Sequence, residues 1–115
     1  MVRGEIYFLN LSPRSGSEQK GIRPCIVVSH NSFACNPKWA SVTVVPLTSS
    51  ERWQVPGPTV VLFERGECGL PKPSAALAHQ ITTVDRSKIA GPPLGRLSDE
   101  KQQRVGESLR NYLVL

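Results

Sequence analysis

Cysteine is scarce and poorly placed for cross-linking. Cys25, Cys35 and Cys68 are odd in number, far apart and contain no C-x-x-C pair. That pattern argues against a disulfide framework and against a zinc site. Long apolar runs are also missing, and none approaches the roughly 20 residues that a membrane span needs. The N-terminus, MVRGEIYFLNL, is interrupted by Glu5 and Asn10 and lacks the apolar core and small-residue cleavage site of a signal peptide. The expectation is a cytoplasmic protein with no membrane partner. Aromatic residues make up only 6% of the chain, too few for the aromatic-lined groove of a proline-peptide adaptor. Acidic residues are the minority charge, nine against fourteen Lys and Arg, for a net charge of +5. This balance favours a polyanionic partner such as nucleic acid, or an acidic protein. The basic residues are scattered, however, and a solubilising surface accounts for the charge equally well.

Familiar catalytic devices are absent too. There is no phosphate-binding G-x-x-x-x-G-K-[ST], no G-x-G-x-x-G, no H-E-x-x-H and no G-x-S-x-G. His30 and His79 have no metal-ligand spacing, so neither a metal nor a cofactor is expected. Each reads first as a surface or hydrogen-bonded structural histidine.

What is present is a succession of β-branched, period-2 stretches within one domain, residues 1–115. Strands are expected over Glu5 to Leu11, Pro24 to His30, Ser41 to Leu47 and Thr59 to Phe63, with one or two more over Ala75 to Thr83. The second strand is almost continuously apolar, which predicts burial on both faces. Pro46 lacks an N–H, which places the end of the third strand at an edge or a bulge. One helical turn is expected near Asn31 to Ala34 and a turn at Asp85 to Lys88. Ser98 is a good N-cap, followed by Asp99 and Glu100. Val105, Leu109, Tyr112 and Leu113 then form one helical stripe, so Ser98 to Leu113 is an amphipathic helix docked on the sheet. The fold class is mainly β with α: an antiparallel sheet or small barrel closed by a C-terminal helix.

Two positions raise chemical questions. Arg23 stands before Pro24 at the mouth of the apolar second strand. A residue before proline is held extended, which aims its side chain. A guanidinium so aimed suits a phosphate or carboxylate gripped by two parallel hydrogen bonds. An internal salt bridge to Glu18 or Glu5 explains the position as well. Thr48 lies just past the proline-ended third strand, where a threonine more often stabilises a turn. The loop from Ser12 to Ile22 is long for a small domain, and long loops often carry function.

Read together, RGEIYFLNLSP, GSEQKGIRPCIVVS, VTVVPLTS, GLPKPSAALAHQITTVDRSKI and LGRLSDEKQQRVGESL resemble the MazF/PemK family of toxin endoribonucleases, in order and over nearly the whole chain. The resemblance implies a small SH3-like (CcdB/PemK-type) β-barrel and a homodimer. It implies metal-independent cleavage of single-stranded RNA within short sequences. It also implies neutralisation by a MazE-like antitoxin whose acidic C-terminal tail occupies the RNA groove. By resemblance, Arg23 and Thr48 are the catalytic pair. Ser17, Glu18 and Gln19 shape the site and contact RNA, as does Gln80 on a late strand. Arg14 and Lys20 are loop cations suited to phosphate contact, and Glu18 and His79 are the candidates for general base. A CcdB-type gyrase poison is the rival of the same fold, but its tryptophan-glycine-isoleucine ending is absent from a chain that ends NYLVL. A catalytically silent nucleic-acid-binding module is a further alternative. The segment from Ser32 to Trp39 matches nothing in the family pattern.

Overall fold

Among the described residues, alternation of β-branched and polar residues is realised as seven antiparallel strands. They are β1 (Glu5–Asn10), β2 (Ile22–Val27), β3 (Ser41–Thr48), β4 (Val60–Phe63), β5 (Ser74–Leu77), β6 (Thr82–Asp85) and β7 (Gly95–Arg96). The computed structural model describes residues 1–11, 16, 21–89 and 91–115. The strands form one curled sheet in the order β4-β5-β3-β2-β1-β7, with β6 also paired to β3. The sheet is a half-barrel closed by the C-terminal helix α2 (Asp99–Leu113). A short helix α1 (Asn31–Ala34) follows β2, where the helical turn was expected.

Each face of the sheet has its own core. Ile6, Ile26, Val45, Leu47 and Phe63 pack with Val105 and Leu109 of α2. Tyr7, Leu9, Cys25, Val27, Val42 and Val44 pack on the other face, with Ala34 of α1. The central residues of β2 are thus buried on both sides, as their continuous apolarity predicts, and Cys25 is a small core residue. Full burial of each large apolar side chain stabilises by about 1.5–3 kcal/mol.

Three details differ from the sequence reading. β2 begins at Ile22, so Arg23 lies inside the strand rather than before it. β3 is central, not an edge. The hydrogen bond from Val28 N–H to the Thr43 carbonyl makes Cys25–Pro46 a non-hydrogen-bonded pair, so the Pro46 nitrogen faces away from β2. On that side β3 pairs with β6 over Ser41 to Val44 and with β5 over Leu47 and Thr48, and Pro46 occupies the interval. A missing donor there breaks no ladder. Finally, the α2 stripe is buried only at Val105 and Leu109, whereas Tyr112 and Leu113 are exposed. The last turn projects past the sheet, and Tyr112 meets only the edge of the His79 ring, at 6.4 Å between centroids.

Tyr7 links the second core to pH. Its hydroxyl donates to Glu5 Oε1 at 3.0 Å. Burial, the hydrogen bond to Glu5 and the Glu5 charge push its pKa up to about 12. The folded state therefore holds this proton more tightly than the unfolded chain does. The stabilisation is fully present below pH ~10 and is lost as pH rises through about 12. Thermal melts between pH 9 and 12 are expected to fall more steeply for the wild type than for Tyr7→Phe.

Candidate active site

Arg23 and Thr48 lie far apart in sequence, on the neighbouring strands β2 and β3. The register runs Val27↔Val44, Ile26↔Val45, Cys25↔Pro46. The β2–β3 ladder stops at Cys25 and Pro46, while β2 reaches back to Ile22 and β3 on to Thr48. Both residues therefore lie just beyond the last paired positions, where the same register carried two residues further would bring them level.

A cleft of about 270 Å³ opens at this end of the sheet, lined among others by Phe8, Arg23, Leu47, Ser49, Lys72 and Ser74. Phe8 is half exposed and forms an apolar wall. Arg23 and Lys72 supply positive charge, and no Asp or Glu is among the described lining residues. Two cations with hydroxyls and no carboxylate make an anion site. Lys72 and Ser74 arrive on the turn into β5, and Ser74 Oγ donates to the Lys72 carbonyl at 2.9 Å. Sequence reasoning did not nominate either. Their signal was a cation held between Pro71 and Pro73, and only the pairing of β5 with β3 carries it to Arg23. A larger hollow, about 690 Å³, lies between β4 and α2. There the Lys101 ammonium is already committed, 3.5 Å from Glu67 Oε2 and donating to the Leu62 carbonyl at 2.6 Å.

Thr48 is almost fully buried. Its Oγ1 accepts from Ser50 N–H at 3.2 Å, which leaves the hydroxyl proton to donate. A glutamine that the sequence reading passed over holds this loop. Gln54 Nε2 donates to the carbonyls of Thr48 and Ser50, both at 3.1 Å, across the 3₁₀ turn Glu51–Trp53. Gln54→Ala removes both hydrogen bonds of that clamp, and thermal melts are expected to show a loss of about 1–2 kcal/mol.

Gln80 and His79 are not on a strand. They occupy the 3₁₀ turn Ala78–Gln80 between β5 and β6, because both strands share one edge of β3 and the chain must step between them. Gln80 therefore sits along the edge of β3 opposite Arg23. His79 Nδ1 is 3.1 Å from Thr59 Oγ1, and its ring lies 5.1 Å from that of Trp53. It is a hydrogen-bonded, stacked histidine and does not line the Arg23 cleft. His30 is likewise structural, its Nδ1 accepting from Ser32 N–H at 3.0 Å to cap α1. Arg14, Ser17, Glu18, Gln19 and Lys20 lie outside the described residues. Among the described residues, no three His, Cys, Asp or Glu side chains gather as a metal-binding group, and no helix is long and apolar enough to cross a membrane.

The family model of PemK-like, MazF-like toxins of type II toxin–antitoxin systems matches residues 2–113. Endoribonuclease EndoA of Bacillus subtilis (strain 168) is 30% identical over 113 residues, covering 98% of this chain and 94% of that protein. Endoribonuclease MazF of Staphylococcus saprophyticus is 32% identical over 109 residues, covering 95% of this chain and 88% of that protein. Among solved structures, MazF from Deinococcus radiodurans superposes with a TM-score of 0.80 at 23% identity, covering all of this chain and 97% of that one. An endoribonuclease in complex with its cognate antitoxin, from a mycobacterial species, superposes with a TM-score of 0.77 at 23% identity, covering all of this chain and 96% of that one. At such identities the superpositions speak to the fold.

Proposed function

This chain belongs to the PemK-like, MazF-like toxin family of type II toxin–antitoxin systems, and we propose that it is an endoribonuclease that cuts single-stranded RNA without a metal ion. The observation that carries the reading is the cleft in which Arg23 and Lys72 stand beside Leu47 and Ser49, the chain neighbours of Thr48. The naming of its relatives as endoribonucleases supports it.

RNA brings its own nucleophile, the 2′-OH beside the scissile phosphate. The 2′ oxygen loses its proton and bonds to phosphorus. The bond from phosphorus to the 5′ oxygen breaks, and that oxygen takes up a proton. The products are a 2′,3′-cyclic phosphate and a free 5′-OH. The protein has to align the strand, stabilise the added charge on the pentacoordinate phosphorus and move two protons. Arg23 stabilises that charge and protonates the leaving oxygen. Thr48 donates its hydroxyl proton to a phosphate oxygen. Arginine is a poor proton acceptor, so the base is another group.

Arg14, Ser17, Glu18, Gln19 and Lys20 extend the binding surface along the first loop, and Gln80 adds a contact. The protein acts as a homodimer. A MazE-like antitoxin inhibits it by laying an acidic tail on the same cationic surface, so antitoxin and RNA compete. The test is incubation of the purified protein with a long single-stranded RNA in EDTA, with the cut ends mapped. Cuts at a short recurring sequence that leave 5′-OH ends are expected. Uncut RNA, or cleavage that needs a divalent ion and leaves 5′-phosphates, overturns the reading.

A further inference from the structure

Phe33 and Trp39 of the segment from Ser32 to Trp39 line a further hollow of about 390 Å³ at the opposite end of β3. Phe33 and Trp39 form one wall. Their ring centroids are 4.8 Å apart, and they remain 42% and 46% exposed. These rings are held in place. Arg86 Nη2 donates to the Phe33 carbonyl at 2.9 Å and Nε to the Trp39 carbonyl at 2.8 Å. The rest of the lining is polar. Thr43 Oγ1 and Thr83 Oγ1 lie 2.9 Å apart, Ser29 Oγ accepts from Thr43 N–H at 2.7 Å, and His30 stands at the rim.

The chemistry selects the occupant. Thr43 and Thr83 pair their hydroxyls with each other, which leaves one hydroxyl proton to donate outward. A nucleobase offers a flat face to the rings and hydrogen-bonding edges to the hydroxyls. The surrounding charge fits a polyanion. Lys38 adjoins Trp39, and Arg86 and Lys88 sit in the next turn. The Asp85 carboxylate, across from Ser41, accepts from Ser87 N–H at 2.9 Å. Ser41 and Thr43 belong to the same alternating set of β3 as Leu47 and Ser49 of the Arg23 cleft. The five residue steps from Thr43 to Thr48 span about 17 Å of strand.

We infer that this hollow is a second contact for single-stranded RNA, in which an unpaired base beyond the cut site stacks on the Phe33–Trp39 pair and turns its edge to Thr43 and Thr83. The inference rests on the reading of this chain as an RNA-cutting toxin. It adds a site that strengthens the grip on long strands over short ones.

The test uses the Trp53→Phe protein, in which Trp39 is the only tryptophan. Long and short 2′-O-methyl oligonucleotides, which lack the nucleophile, are titrated in. The long strand is expected to quench Trp39 fluorescence. Trp39→Ala and Phe33→Ala are each expected to shrink the affinity advantage of the long strand about tenfold, the effect of one stacked base. Circular dichroism establishes that both variants are folded. Unquenched Trp39, or an unchanged long-to-short ratio in both variants, overturns the inference. So does Trp39 fluorescence that follows protein concentration instead of RNA, which assigns the face to contact between copies. The outcomes separate from those for the nuclease itself. A protein that cuts RNA with Trp39 indifferent loses only this site. One that cuts nothing yet shows Trp39 quenched by the strand loses only the nuclease reading.

Discussion

Arg23→Ala is expected to lower RNA cleavage by about two to three orders of magnitude, the cost of removing a preorganised donor aimed at developing charge. The size of the effect follows from where Arg23 sits. β2 holds its backbone as a strand residue, and Pro24 restricts it further. The guanidinium therefore spends little entropy on reaching a phosphate. Arg23→Lys restores charge without the planar fork, so only part of the rate is expected to return. Thr48→Val is expected to cost less, about tenfold to a hundredfold, because one hydrogen bond to a charged phosphate oxygen is lost. Thr48→Ser keeps the hydroxyl and most of the rate. Single-turnover rates on one RNA, with melting curves for each variant, separate loss of chemistry from loss of fold. A cleavage rate unchanged in Arg23→Ala would remove this residue from the mechanism.

Gly69→Ala is expected to produce the largest loss of stability, about 3 kcal/mol or more. The strand order is open, with β4 at one end and β7 at the other. The turn Glu67–Gly69, which follows β4, closes that gap by lying directly on β7. A Cβ at Gly69 would stand 2.1 Å from the Leu94 carbonyl oxygen, and one at Gly95 would stand 2.1 Å from that of Cys68. Both obstacles are backbone, so neither can swing aside. Overpacking of this kind costs about 1–3 kcal/mol. At Gly69 the left-handed φ of +81° adds roughly 1 kcal/mol more. For a domain of this size, the melting temperature should fall by on the order of 10 °C. Gly66→Ala is the control. Its φ is +84°, but nothing lies within 4 Å of the added carbon, so only the backbone term of about 1 kcal/mol remains. Equal losses at Gly66 and Gly69 would show that backbone strain, and not the seam, sets the cost.

The contrast between those two glycines shows what can be read from a sequence. Gly66 follows Arg65 and Gly69 follows Cys68, and neither neighbour announces a close contact. Only the arrival of β7 distinguishes them. The same division runs through the rest of the chain. Alternating β-branched residues place the strands because burial of one face needs nothing beyond the strand itself. Ser98 predicts the start of α2 because its hydroxyl accepts from Lys101 N–H, three residues away. Where the local rule met a distant partner, it failed. Tyr112 and Leu113 carry the helical period but lie past the sheet that would have covered them. His79 and Gln80 read as strand, yet the shared edge of β3 forces a turn.

The amino-acid sequence by itself therefore determined the strand segments, the capped helix, the buried Cys25 and the family. Each rests on residue period, capping chemistry or ordered motifs, and these are local properties. The tertiary structure alone decided that Lys72 joins Arg23 in one cleft and that Gln54 holds the loop after Thr48. It also decided that Gly69 closes the sheet and that Arg86 fixes the Phe33–Trp39 pair. Each of these depends on strand register or close approach between distant segments. Such contacts form only when the whole sheet is assembled, and no short window of sequence contains both partners.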